Sequence, residues 1–280
     1  MNFGMPYKGS KNKIAQWVVD QLPSAKHFYD LFGGGGAITH CARLSEKYEV
    51  VHYNELNPLV FNAFGMAVNG EFKNEKRWIS REAFKKLKDT DPYVNLCFSF
   101  GNNGRHYCYS KEIEPLKKTL HYAICFNDFS LLEELNVFID NKIHGRLAIA
   151  NAIKDFLKIK RLELESLERL ERLQSLESLE RLQSLESLER LHSLERLESL
   201  ELTNLDYRSV KIEEDSVIYC DIPYKSTNKY NIKFNHNEFY DWCRDQNNIF
   251  ISEYAMPKDF KVVAQKDKLC TLDKNNLVTT

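Results

Sequence analysis

The chain has no stretch of 18 consecutive apolar residues, the length a membrane-crossing helix requires. The region after Met1 lacks the apolar core of a signal peptide. Seven cysteines stand scattered at 41, 97, 108, 125, 220, 243 and 270, with no Cys-x-x-Cys pair among them, and no histidine cluster has zinc spacing. These absences argue against a membrane span, a dithiol redox motif and a structural zinc frame. The expectation they leave is a cytoplasmic protein with reduced thiols and no metal.

A strong net charge is missing too. Lys and Arg number 39 against 40 acids, a formal −1. Averaged over the chain, that balance disfavours a polyanionic partner. The balance is uneven, however. Residues 161–202 carry six arginines and eleven acids, a net −5, which leaves +4 on the rest. Lys73, Lys76, Arg77, Arg81, Lys85, Lys86, Lys88, Arg105, Lys111, Lys117 and Lys118 crowd the middle of the chain. A phosphate backbone responds to such a local patch rather than to the total.

What is present, in 280 residues and 32.9 kDa, suffices for one substantial core and a smaller lobe. Periodicity predicts a helix over 13–22, a strand over 27–32, a helix over 37–48, a strand over 49–53 and a helix over 57–69. This βαβ beginning implies a parallel sheet with right-handed crossovers. Further helices are expected at 76–88, 111–122, 129–136 and 236–245. Residues 95–100 and 248–252 read as extended, and 225–234 as a polar loop. In 161–202 leucine recurs every third residue from Leu164 to Leu200. That spacing drifts about 60° per step around an α-helix, so it does not build a coiled-coil seam. Good helix formers without Gly or Pro still favour helix there.

Three motifs carry chemistry. The apolar, β-prone run Val217–Cys220 leads into Asp221-Ile222-Pro223-Tyr224. At a strand end, Asp221 can accept a hydrogen bond from an exocyclic amine and a turn carbonyl a second. Pro223 fixes the turn and Tyr224 can stack on a flat ring. Upstream, Asp30-Leu31-Phe32 runs into Gly33-Gly34-Gly35-Gly36, a loop that can approach a nucleotide-like ligand closely. Glu55 follows about 20 residues later, where an acid can hold ribose hydroxyls. A dinucleotide fingerprint fits less well, because Ile38 stands where its third glycine belongs. Third, Tyr7-Lys8-Gly9-Ser10-Lys11 forms a basic turn before the first helix.

Together, in this order, these motifs resemble the Dam-type N6-adenine DNA methyltransferases, in particular their phage and prophage branch. The resemblance covers residues 3–70 and about 203–260, and more loosely 96–122. Tyr7, Gly9 and Lys11 match the family's opening turn; Asp30, Phe32, Gly34 and Gly36 match its cofactor loop. Glu55 stands where many members have aspartate. Ile222 replaces the first proline of the usual Asp-Pro-Pro-Tyr, while keeping the backbone carbonyl that serves as acceptor. Asp206 and Tyr207 resemble the segment that lies against the cofactor adenine.

The resemblance implies a Rossmann-like α/β methyltransferase sheet with an inserted, mainly helical DNA-recognition lobe. The expected domains are 1–70 with 203–280 for catalysis, 71–160 for target recognition, and 161–202 as a repeat insertion without a catalytic role. S-adenosylmethionine is the implied methyl donor, held by Tyr7, Lys11, Asp30, Phe32, Gly34, Gly36, Glu55, Asp206, Tyr207 and Asp221. Adenine flipped out of double-stranded DNA is the implied acceptor, held by Asp221, Ile222, Pro223 and Tyr224. Asp at the first motif position fits adenine; cytosine-N4 enzymes more often carry serine there, and the Pro-Cys nucleophile of cytosine-C5 enzymes is absent. Asn102, Asn103 and Arg105 suit base-edge and phosphate contacts. A monomer is expected, with 161–202 as the route to any oligomer. The family's further apolar C-terminal strand is expected to be missing or displaced. Three rivals stay open: a methyltransferase for RNA or protein, a catalytically inactive DNA-binding homologue, and a scaffold built on the leucine repeats.

Overall fold

The computed structural model describes residues 2–111, 113–133, 183–194, 197, 199–224, 234–269 and 277–279. They form two compact units, one of residues 1–71 and 190–280, the other of residues 72–189.

The first unit holds a sheet of five strands: β1 (Ala25–Asp30), β2 (Tyr48–Asn54), β3 (Leu200–Thr203), β4 (Ser216–Cys220) and β5 (Ile249–Ile251). All pairings are parallel, in the order β3-β2-β1-β4-β5. Alternation along the strands explains why both faces are dry. Phe28, Val51, Val217 and Tyr219 point to one face, against α1 (Ala15–Gln21) and α2 (Ala37–Leu44). Tyr29, Leu31, Ile218 and Cys220 point to the other, where they meet Phe239, Tyr240 and Cys243 of the helix His236–Arg244. A two-residue side-chain period can serve two cores only when both faces are covered, as parallel sheets require. After β2, Asn57 caps α3 (Pro58–Val68) by accepting from the Leu59 amide at 3.0 Å, with Pro58 at the first helical position.

β3 corrects the expectation for the repeat. Its strand begins at Leu200, inside the segment read as a helical insertion, and pairs with Val51–Asn54. The strand also starts before the expected boundary at 203. Leu277–Thr279 lies outside the central sheet and pairs antiparallel with Asp267–Leu269.

The second unit contains α4 (Arg81–Leu87), α5 (Pro92–Cys97), α6 (Glu114–Phe126), α7 (Ser130–Glu133) and most of α8 (Gln183–His192), within which the division falls at Arg190. Residues 95–100, expected to be extended, are helical as far as Cys97. Asp91 accepts from the Val94 amide at 3.2 Å, and Pro92 opens the helix, a start signal that outweighs the apolar run after it. In α8 the repeat shows a three-residue burial pattern: Ser184, Leu185, Ser187, Leu188 and Leu191 are buried, while Glu186 and Glu189 are exposed. Over so short a helix the drift of a three-residue spacing is tolerable. The rest of the expected helix 129–136, the repeat from 161 to 182 and the loop 225–233 lie outside the described residues.

Candidate active site

The order of the strands reverses at β1, with β2 and β3 on one side and β4 and β5 on the other. Loops leaving β1 and β4 therefore diverge and open a crevice at the strands' carboxyl ends, the position where such sheets bind ligands. A pocket of about 400 Å³ lies there, lined by residues of the first unit alone.

One end of this pocket is the glycine loop. Tyr53, fully buried and stacked on Phe64 at 4.0 Å, donates its hydroxyl to the Gly34 carbonyl at 2.8 Å. The Glu55 carboxylate spans two backbone amides: one oxygen accepts from Gly34 at 2.9 Å and the other from Asn57 at 2.8 Å. Burial raises its pKa against the pull of those two bonds. Asn54 ties three strand ends together. Its amide nitrogen donates to the carbonyls of Leu31 and Leu205, and its oxygen accepts from Thr203 and the Leu205 amide.

Asp30 closes β1 beneath this loop. One carboxylate oxygen accepts from the Thr39 amide at 3.2 Å and hydroxyl at 2.7 Å; the other is buried without a hydrogen-bond partner among the described residues. Burial is the main cause that pushes its pKa up to about 7; Asp221 and Glu55 add to it, and the bonds from Thr39 oppose it. A pocket-lining acid with an orphaned oxygen is suited to a ligand N–H or a cation.

The middle of the pocket is aromatic. Phe32 packs on Tyr207 at 5.4 Å and on Phe234 and Phe239 at 5.7 Å. Tyr207 is buried, whereas the Asp206 carboxylate is turned to Arg208, which donates from Nε at 2.7 Å and Nη2 at 3.0 Å. That pairing lowers the Asp206 pKa.

The other end is the Asp221 turn. Lys11 Nζ lies 2.7 Å from Asp221 Oδ1, and the Tyr224 hydroxyl donates to the same oxygen at 3.1 Å. Lys11 also contacts that hydroxyl and sits 4.8 Å from the centre of the Tyr224 ring. Asp221 Oδ2 keeps no partner among the described residues. Ile222 is buried in the core beside Cys220 and Tyr240. Pro223 offers its carbonyl to His236 at 2.7 Å, so it is not the turn carbonyl available to a ligand. Tyr224 remains a neutral phenol, since burial and the nearby Asp221 raise its pKa well above 10.

Of the residues expected to hold a cofactor, Tyr7, Lys11, Asp30, Phe32, Gly34, Glu55, Asp206, Tyr207 and Asp221 all line this pocket, as do Ile222, Pro223 and Tyr224. Gly36 does not. It precedes α2 in a left-handed conformation (φ 67°), and a Cβ there would stand 2.1 Å from the Phe64 ring. Its glycine serves the turn and the close packing. Within the pocket, Lys11 reaches Asp221 and Tyr224. Sequence reasoning passed over Asn54. The signal for Asn54 was its place at a strand end directly before Glu55.

The second unit contains the loop around Asn102, Asn103 and Arg105. Asn102 spends its amide group inside the unit, on the Leu96 carbonyl at 2.7 Å and Ser187 at 3.0 Å. Asn103 accepts from the amides of Arg105 and His106. Both asparagines thus shape the turn, while Arg105 and Phe100 are exposed. The basic patch is partly consumed: Arg77 pairs with Glu75 and Asp91, Arg81 with Glu114, Lys88 with Asp89, and Lys117 is buried. Lys76, Lys85, Lys86 and Lys111 are exposed.

Residues 7–137, a little under half of the chain, match the family described as D12 class N6 adenine-specific DNA methyltransferase. Over those residues the chain is similar to a D12 class adenine-specific DNA methyltransferase domain. The matched stretch includes the Lys11 turn, the glycine loop, Glu55 and the loop at Arg105, and stops before Asp221. Among curated proteins, no relative matches the chain. The enzymes of that family methylate adenine in DNA. Among the described residues no helix is long and apolar enough to cross a membrane, and no group of three His, Cys, Asp or Glu is arranged to hold a metal ion.

Proposed function

We propose that the pocket binds S-adenosylmethionine at its glycine-loop end and a flipped-out adenine at its Asp221 end. The observation that carries this reading is that Glu55, Asp30 with its orphaned oxygen, and Asp221 line one cavity at the carboxyl ends of β1 and β4. The residues present fit the cofactor. Glu55 is placed for ribose hydroxyls, Phe32 and Tyr207 for an apolar ring, and Asp30 for an ammonium group. When bound, S-adenosylmethionine supplies an electrophilic sulfonium methyl group.

The adenine N6 amine is a poor nucleophile because its lone pair is delocalised into the ring, and in a duplex it is buried in a base pair. Asp221 Oδ2 and the Ile222 carbonyl accept its two N–H bonds and favour a nitrogen with more sp³ character. Lys11 and the Tyr224 hydroxyl hold Asp221 through Oδ1, so the carboxylate is oriented before the base arrives. The Tyr224 ring supplies the stacking surface. The chain's task is positioning, which alone can remove several kcal/mol from a barrier.

Residues 72–189 form the target-recognition region in this reading. Arg105 and the exposed lysines meet phosphates, and residues 161–182 serve outside catalysis. The test is transfer of tritiated methyl groups to duplex DNA, single-stranded DNA, RNA and total protein, followed by nucleoside analysis. N6-methyladenine in duplex DNA supports the proposal. Label confined to RNA or protein, or cofactor binding without any turnover, would sink it in favour of the rival readings.

A further inference from the structure

We infer that Arg190, in the last turn of the leucine-repeat helix, is a positioning residue for the cofactor site. The inference rests on the S-adenosylmethionine reading of the pocket. Arg190 Nη2 lies 3.3 Å from the carbonyl oxygen of Phe3, 3.3 Å from that of Gly4 and 2.7 Å from that of Met5. Three successive carbonyls converge on one cation only if the backbone curls, and Gly4 provides the curl with φ +69°.

The same three residues are fastened on their amide side. Phe3 N donates to Asn12 at 2.6 Å, Gly4 N to His40 Nδ1 at 3.1 Å, and Met5 N to the Gly35 carbonyl at 2.6 Å. His40 can act as acceptor because burial lowers its pKa to about 4, which keeps it neutral. Every amide and carbonyl from residue 3 to residue 5 is therefore engaged.

This short segment is the backing of the glycine loop. A Cβ on Gly4 would lie 2.5 Å from the Gly35 oxygen and 2.6 Å from the Ala37 nitrogen, so the two backbones touch. Two residues on, Tyr7 packs against Gly34 and Gly35 from within the pocket wall. Without Arg190, three aligned carbonyl dipoles face one another in a buried place with no donor. They would separate, and Met5 would draw away from Gly35. Arg190 Nε is buried without a partner among the described residues, so the guanidinium is held there by its carbonyl contacts. The repeat thereby contributes a working residue to the methyltransferase domain, in addition to β3.

The test compares wild-type protein with Arg190→Met, Arg190→Lys and, as a control on an exposed side chain, Glu186→Gln. Calorimetric titration with S-adenosylhomocysteine is read beside hydrogen exchange in the free protein. Arg190→Met should raise Kd about tenfold. It should also speed exchange of the Met5 and Gly36 amides and raise the cofactor KM more than it lowers kcat. Arg190→Lys, which keeps one cationic donor, should fall in between, and Glu186→Gln should match wild type. A folded Arg190→Met protein with wild-type Kd and exchange would overturn the inference, as would a lowered Tm with Kd unchanged. If Arg190→Met does not fold, the same two readouts on Arg190→Lys decide. If wild-type protein binds no S-adenosylhomocysteine, the cofactor reading fails, and the exchange rates alone judge the role of Arg190.

Discussion

Two glycine-rich loops in this chain use the same residue for different ends. In Gly33–Gly36, added Cβ atoms would run into packed aromatic side chains: the Tyr53 ring at 2.2 Å from Gly33, the Tyr7 Cβ at 2.6 Å from Gly35, the Phe64 ring at 2.1 Å from Gly36. In Gly101–Gly104, Gly101 takes φ +58° with nothing within 4 Å of its missing Cβ, and a Cβ on Gly104 would first meet the Asn95 side chain. The first loop is a cradle cast against rigid neighbours, and it stands at the pocket. The second is a turn that closes on its own asparagines and presents its surroundings outward. Glycine content alone does not separate a cradle from a turn; the atoms around the absent side chain do.

The largest contrast should come from Gly33→Ala. The Tyr53 ring cannot yield, being buried, stacked on Phe64 and bonded to Gly34. Overpacking of this kind costs about 1–3 kcal/mol. Thermal melting should show a clear drop in Tm, and titration a loss of S-adenosylmethionine affinity of about tenfold or more. An unperturbed Gly33→Ala protein would break the comparison.

Glu55→Ala should follow, with cofactor affinity lowered on the order of ten- to a hundredfold, as for loss of a charge-assisted hydrogen bond. Glu55→Asp sharpens the point. The glutamate reaches both Gly34 and Asn57 amides, and the shorter acid can keep only one, so calorimetry should give a Kd between those of wild type and Glu55→Ala.

A smaller effect is expected from pH. Asp30, raised to about 7, is neutral below that pH and ionised above it. Affinity for a cationic cofactor should therefore rise from pH 6 to pH 8. The free protein should behave oppositely. A raised carboxyl pKa contributes stability at low pH that is lost as pH climbs from the ordinary value of 3.8 towards about 7. Asp30→Asn should flatten both trends; an Asn variant with the wild-type pH profiles would remove Asp30 from the account. The smallest effect belongs to Gly101→Ala, which meets no atoms and costs only about 1–2 kcal/mol of left-handed strain. Cofactor titration should not register it.

Much of this arrangement could be read from the chain directly, because it is local. The β1–loop–α2–β2 order shows in the hydrophobic periods around Asp30 and Glu55, and the Asp221 turn shows in the apolar run before it. Three features could not be read, each for a physical reason. β3 lies in a repeat whose composition favours helix, and only its distant partner strand at Val51–Asn54 makes it extended. Lys11 turns to Asp221, a contact across 210 positions that no spacing encodes. Gly36 looks like its three neighbours until Phe64 fills the space beside it. The α5 helix, by contrast, was available in Asp91-Pro92, a start signal hidden behind the apolar residues that follow.

The central claim is that one pocket divides its labour, with the glycine loop and Glu55 for the cofactor and the Asp221 turn for adenine. The measurement that tests it most directly is a paired assay of Asp221→Ala, with S-adenosylmethionine binding by calorimetry and methyl transfer to duplex DNA under single-turnover conditions. The account predicts a Kd within a few-fold of wild type and a transfer rate lower by on the order of 10²–10³, the size seen when one preorganised polar group is removed from an active site. A variant that transfers methyl groups at the wild-type rate, or one that loses cofactor binding as fully as Glu55→Ala, would contradict it.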